Sequence, residues 1–190
     1  MNEKSRKDLD YFLSNCFIGI IDDWSERDVY DIPHFIIANK KSADFEGGFD
    51  SLCALKKKEE FYSLAGECLD IIYKFADTAD ETVCCAGPFL DTENYEHWSN
   101  LNEYDAFNAL TEHIKNEEYK VIDLLESQSL IGLIIENNFR YLSQIAFLFA
   151  DKDIIIQPTH NAEILVFAKD CEKAKMMFTE ILDNGWFICD

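Results

Sequence analysis

Three apolar runs in the last third of the chain, Ile145 to Phe149, Ile154 to Gln157 and Ile164 to Phe167, are separated only by short polar stretches, Asp151-Lys152-Asp153 and Pro158-Thr159-His160-Asn161. Side chains branched at Cβ and aromatic rings suit a pleated surface better than a helix. Turn-forming residues between such runs let consecutive strands double back on each other. The segment therefore predicts an antiparallel meander. Asp170 follows as an N-cap for a helix over Cys171 to Leu182, with Ala174, Met177, Phe178, Ile181 and Leu182 on its inner side. Asn184-Gly185 stops that helix, and Trp186 to Cys189 supplies one further edge strand.

A helix is clearest from about Lys58 to Ala76, where Phe61, Leu64, Ala65, Cys68, Ile72 and Phe75 recur at helical spacing along one stripe. Leu9, Phe12, Leu13 and Cys16 give Ser5 to Cys16 the same pattern. His34 to Ala38, after Pro33, reads as a strand, and Lys40 to Ser51, with Gly47 and Gly48, as a loop. Thr82 to Ala86 is compatible with a strand and ends at Gly87-Pro88. Asp91 to Glu103 lacks periodicity and reads as a long loop, Tyr104 to Lys115 as a helix, and Val121 to Glu136, apolar on nearly every side, as a buried helix. There is no internal repeat, low-complexity tract or Pro/Gly/Ser linker. With 48 % hydrophobic and 14 % aromatic residues, 190 residues suffice for one substantial core. The expected architecture is a single α+β domain in which amphipathic helices pack on a mainly antiparallel sheet, its clearest strands in the C-terminal third.

Charge narrows the partners. Seventeen basic residues stand against 37 acidic ones, a formal charge of −20. Phosphate backbones and anionic bilayer surfaces repel such a chain, so neither nucleic acid nor membrane is an expected partner. The longest apolar candidate for a membrane span, Leu130 to Ile135, runs into Glu136, Asn137, Asn138 and Arg140, far short of the roughly 20 residues a bilayer requires. Lys4, Arg6 and Lys7 precede the apolar run Tyr11 to Ile21 as in an export signal, but Asp8 and Asp10 interrupt the basic region and no small-residue cleavage site follows. The seven cysteines are odd in number and scattered, the pattern of reduced thiols. Together these features lead us to expect a cytoplasmic location.

Motifs that would announce chemistry are missing. The glycines fit neither G-x-G-x-x-G nor G-x-x-x-x-G-K-[ST], and there is no G-x-S-x-G elbow, H-E-x-x-H helix or Cys-x-x-Cys pair. Cys84 and Cys85, adjacent on a strand, point to opposite faces and do not share a zinc ion with His97. The stretch from Asp91 opens like a calcium loop but carries Glu96 where glycine is required and Asn102 where a bidentate glutamate belongs. No catalytic residue, metal or cofactor is assigned on this basis. Of the four histidines, His160 stands out because a turn between strands presents a side chain well; packing accounts for the others equally well.

One window does stand apart. Between Phe75 and Ile114 there is no Lys or Arg, while nine carboxylates interleave with Phe89, Tyr95, Trp98, Tyr104 and Phe107. Aromatic anchors within a charged rim are the composition of a protein-binding surface. The candidate partner-binding residues are Asp77, Asp80, Glu81, Asp91, Glu93, Tyr95, Glu96, Trp98, Glu103 and Asp105; a merely solvated surface explains the same carboxylates more simply. In class, a small, acidic, motif-free α+β chain resembles the immunity proteins with which bacteria neutralise toxins, many of them basic nucleases. That resemblance implies an inhibitor or adaptor that binds a basic protein partner, such as a toxin or nuclease, by occlusion. Two alternatives remain open: a small enzyme with a histidine and carboxylate site outside the known motifs, and a structural subunit forming a homodimer through the apolar C-terminal segment.

Overall fold

The computed structural model describes residues 33–45, 56–80, 83–86, 120–123, 145–149, 151–183 and 185–189. Seven strands are present among them: β1 (His34–Asn39), β2 (Val83–Ala86), β3 (Lys120–Asp123), β4 (Ile145–Phe149), β5 (Ile154–Pro158), β6 (Ile164–Ala168) and β7 (Trp186–Cys189). Two helices, α1 (Lys58–Ala76) and α2 (Cys171–Thr179), and a 3-10 turn at Ser42–Phe45 complete the described elements. All strands join one sheet in the order β3-β2-β4-β5-β6-β1-β7. Every pairing is antiparallel. The architecture is α+β.

The three consecutive runs form the expected meander, with Phe147 opposite Ile156 and Ile156 opposite Val166. Side chains alternate across a strand. One face of the meander therefore presents Phe147, Phe149, Ile154, Ile156, Ile164 and Val166 to a common core. From β1, inserted between β6 and β7, Phe35 and Ile37 join the same face.

Helix α1 covers that face with the stripe expected of it, Phe61, Leu64, Ala65, Cys68, Ile72 and Phe75 all being buried. Glu59 and Glu60 in its first turn and Lys74 in its last complement the helix dipole. Beyond its end, the Thr78 hydroxyl donates to the Phe75 carbonyl at 2.7 Å. Helix α2 begins as expected: the Asp170 side chain accepts the Lys173 N–H at 3.0 Å. It stops at Thr179, short of Leu182. There the Thr179 hydroxyl turns back to the Lys175 carbonyl and the Ile181 and Leu182 N–H groups converge on Phe178, which winds the last turn out of register. Ile181 and Leu182 still pack against the core. Phe75, Phe178 and Phe149 lock the layers together, the first two stacked with centroids 4.4 Å apart and Phe75 edge-on to Phe149 at 4.9 Å.

The return to the sheet needs Gly185, whose φ of +89° is costly for any side chain. Trp186, 7 % exposed, then anchors β7 at the sheet edge by donating its indole N–H to Glu67 of α1 at 3.0 Å. Trp186→Phe keeps an aromatic ring in place but removes this bond to a charged acceptor together with part of the buried indole. We expect a loss of about 1.5 kcal/mol in urea unfolding; an unchanged midpoint would mean that solvent replaces the bond without cost.

One element departs from expectation. Lys120–Asp123, at the start of the segment Val121 to Glu136 read as a helix, is a strand, with Val121 opposite Cys85 and Ile122 opposite Cys84. The β-branched pair Val121-Ile122 satisfies its backbone on β2, a tertiary partner that local periodicity does not reveal. Residues 124–136 lie outside the described residues, as do the expected helices Ser5 to Cys16 and Tyr104 to Lys115 and the expected loop Asp91 to Glu103. The loop expected over Lys40 to Ser51 contains the 3-10 turn, which seats Phe45 edge-on against Phe61 at 5.3 Å. Among the described residues no helix is long and apolar enough to cross a membrane.

Candidate functional site

The β5–β6 turn is where polar chemistry gathers. Its ladder continues one step past the strands, the Thr159 N–H donating to the Glu163 carbonyl at 2.8 Å, and the Ala162 N–H closes the turn onto Thr159 at 3.1 Å. Ala162 adopts a left-handed backbone, φ 54°, which costs a non-glycine residue about 1–2 kcal/mol. Neighbouring elements hold it there. The Ser42 hydroxyl donates to the Ala162 carbonyl at 3.5 Å and accepts the Asn39 N–H at 3.2 Å, which ties the turn to the end of β1. From α1, the Cys68 thiol donates to the Glu163 carbonyl at 3.8 Å.

Alternation sets what faces where. Ile156 belongs to the core, so Gln157 points to the opposite face, opposite Leu165 in register. Thr159 and Glu163, one step further along the same ladder, share that face. Gln157 is 5 % exposed. Its Oε1, Thr159 Oγ1 and Asn161 Oδ1 are the buried side-chain oxygens without a hydrogen-bond partner among the described residues. All three lie within five positions of one turn.

The titratable groups reflect the same burial. Desolvation pushes the Glu163 carboxyl above its ordinary value, and a hydrogen bond from the Asn161 side chain opposes that. Burial lowers His160 to about 4, so its imidazole is neutral near pH 7. The Cys68 thiol is pushed far up by burial and, secondarily, by the Glu163 carboxylate. A thiol held protonated is not a nucleophile.

Two of the candidate partner-binding residues, Asp77 and Asp80, fall among those described. Asp77 follows the end of α1, and the Asp80 N–H donates to Asp151 at 3.3 Å in the β4–β5 turn. Both are exposed. The length of strand β5 separates Asp80, at the β4–β5 turn, from the β5–β6 turn. Asp151 and Asp153 in the β4–β5 turn are ion-paired with Lys152 and Lys169. Glu81, Asp91, Glu93, Tyr95, Glu96, Trp98, Glu103 and Asp105 lie outside the described residues. His160 was legible as a presented residue; Gln157, Asn161 and Glu163 were not singled out. The available signal was a lone carboxamide closing an otherwise apolar strand, Ile-Ile-Ile-Gln-Pro. Comparison with family models, curated proteins and solved structures finds no match to this chain.

Proposed function

We propose that this chain is an acidic protein-binding domain, an inhibitor or adaptor in the manner of toxin-neutralising immunity proteins, which occludes a basic protein partner in the cytoplasm. The observation that carries this reading is the charge of −20, whose described carboxylates, among them Glu59, Glu60, Asp70, Asp77, Asp80 and Glu180, stand on the surface. A single-sign field of this size raises the encounter rate of an oppositely charged protein. The protonated Cys68 and the absence of nucleophilic motifs are consistent with occlusion in place of chemistry.

The test is kinetic. With the tagged chain as bait, a basic partner is captured from the source cell at low salt, purified, and its association rate measured as salt rises. That rate should fall at least about tenfold as the Debye length shrinks from about 10 Å to about 3 Å, with dissociation changing far less. Neutralising Asp91, Glu93 and Glu96 to their amides should reproduce part of the fall at low salt. Truncating Trp98 should instead speed dissociation, by about 2 kcal/mol if the ring is a buried anchor. Kinetics indifferent to salt and to these substitutions would overturn the reading.

A further inference from the structure

We infer that the outer edge of β7 receives an extended, basic segment of a partner protein as an added strand, with Ile188 as the residue that pairs with it. The inference rests on the reading of a basic partner and names the surface that partner extends. Among the described residues β7 ends the sheet and pairs on one side, with β1. Two hydrogen bonds fix which of its backbone groups face outward. The Asn39 N–H donates to the Ser42 hydroxyl at 3.2 Å and the Trp186 N–H to the Asp183 carbonyl at 3.0 Å, so the opposed residues Asn39 and Trp186 exchange no ladder bonds. Bonded and non-bonded pairs alternate along an antiparallel ladder. Ala38 and Phe187 are therefore a bonded pair, and Ile37 and Ile188 a non-bonded one. The Ile188 N–H and C=O both point away from β1, as the donor and acceptor that an incoming strand requires.

Nothing within the strand blunts that edge. Trp186–Cys189 carries no charge and no proline, and its four residues pair with β1 without a bulge. Phe187, 41 % exposed, stands on the face away from α1 and α2, because Trp186 faces the core and neighbours alternate. An added strand presents alternate side chains to the two faces: apolar ones beside Phe187, and the others on the side of the helices, where Glu180 and Asp183, both exposed, lie between α2 and β7. Asp183 is ion-paired with Lys74 at 3.1 Å. Charge selects the occupant. A second copy of this chain would bring another −20 to the edge, whereas Lys or Arg at alternate positions of a strand meets a field of opposite sign.

The test titrates the 15N-labelled chain at low salt with an acetylated, amidated octapeptide of alternating lysine and valine. Saturable shifts are expected at the Phe187, Ile188 and Cys189 amides, with Kd of about 1 mM or tighter, and hydrogen exchange of the Ile188 amide should slow at least about tenfold at saturation. N-methylation at every lysine removes the donors that face Ile188 and should weaken binding at least about tenfold; N-methylation at every valine, of equal charge, blocks only the far edge and should not. A glutamate-valine counterpart should not bind. Phe187→Lys, at an exposed position, should fold and weaken the lysine-valine peptide at least about tenfold; should it not fold, Phe187→Thr must still weaken binding. The inference falls if no shift saturates at β7, if the lysine-methylated or glutamate peptide binds undiminished, or if these substitutions change nothing. It falls equally if the Ile188 amide is already protected in the peptide-free chain, because this chain's own residues or a second copy then occupy the edge, and sedimentation tells those two apart. The captured partner separates the two levels. Salt-sensitive binding that is indifferent to Phe187→Lys overturns the edge and leaves the basic-partner reading standing; kinetics that ignore salt overturn that reading, while the peptides still decide the edge.

Discussion

Phe75→Ala is expected to lower the free energy of unfolding by about 3–5 kcal/mol. Phe75 is 1 % exposed and its ring is shared by three elements, stacked on Phe178 of α2 and edge-on to Phe149 of β4 while carried by α1. Removing it deletes the transfer free energy of a buried ring and opens a void that three rigid elements cannot easily collapse around. Aromatic contact geometry contributes beyond area, roughly 0.5–1.5 kcal/mol for each pair. Domains of this size are stable by only about 5–15 kcal/mol, so the variant should show a far lower urea midpoint with a little-changed slope. A loss below about 1 kcal/mol would mean that the layers close over the gap, and that the ring cluster is not what joins helix α1 to helix α2.

The other large effect concerns Cys68. Its thiol is fully buried beneath the β5–β6 turn, and both burial and the Glu163 carboxylate oppose ionisation. Only the thiolate attacks an alkylating reagent, and a thiol that ionises at higher pH holds proportionately less of it at pH 8. Peptide-level mass spectrometry at pH 8 should find Cys68 modified by iodoacetamide on the order of 10³-fold more slowly than in urea, through opening of the fold alone. Cys171 and Cys189, both partly exposed, should react well ahead of it. The suppressed ionisation also carries a sign for stability. A thiol whose folded pKa is raised favours the fold below its unfolded value of 9.0, and that advantage is lost as pH climbs beyond it, because the unfolded chain ionises and the folded one does not. The urea midpoint should therefore hold from pH 7 to about 9 and then decline, and Cys68→Ala should flatten the decline whatever it costs at neutral pH. Rapid labelling of Cys68 in the folded chain would contradict this account.

How much of this was readable in advance depends on how local each determinant is. Helix α1 was legible because six apolar residues on one stripe admit no other arrangement, and the start of α2 because Asp170 is a side-chain cap only three residues from the N–H it accepts. The meander was legible because its turns are short. Strand β3 was not: Val121 and Ile122 head a run apolar on every side, where periodicity cannot separate a strand from a buried helix, and the deciding contact is the distant backbone of β2. Nor was the placement of β1, since pairing with β6 and β7 leaves no mark near His34. The β5–β6 turn was half legible. His160 announced a turn, but the burial of the Gln157 carboxamide and the hydrogen bond between Asn161 and Glu163 are properties of their surroundings rather than of their identity.

The position of β1 has a consequence for the order in which the chain can acquire its sheet. Of the strands described, β1 is synthesised first, yet both of its neighbours, β6 and β7, are synthesised last. The contact between Ser42 and Ala162 spans 120 positions. At roughly 5–20 residues per second, Phe35, Ile36 and Ile37 wait on the order of ten seconds for their partners. During that interval the strand has two bare apolar faces and two unpaired edges, the combination most prone to mispairing between nascent chains. Closure of the sheet is a late, non-local event, slow by topology. A product arrested before Ile164 would have its meander incomplete and its first strand with nowhere to go.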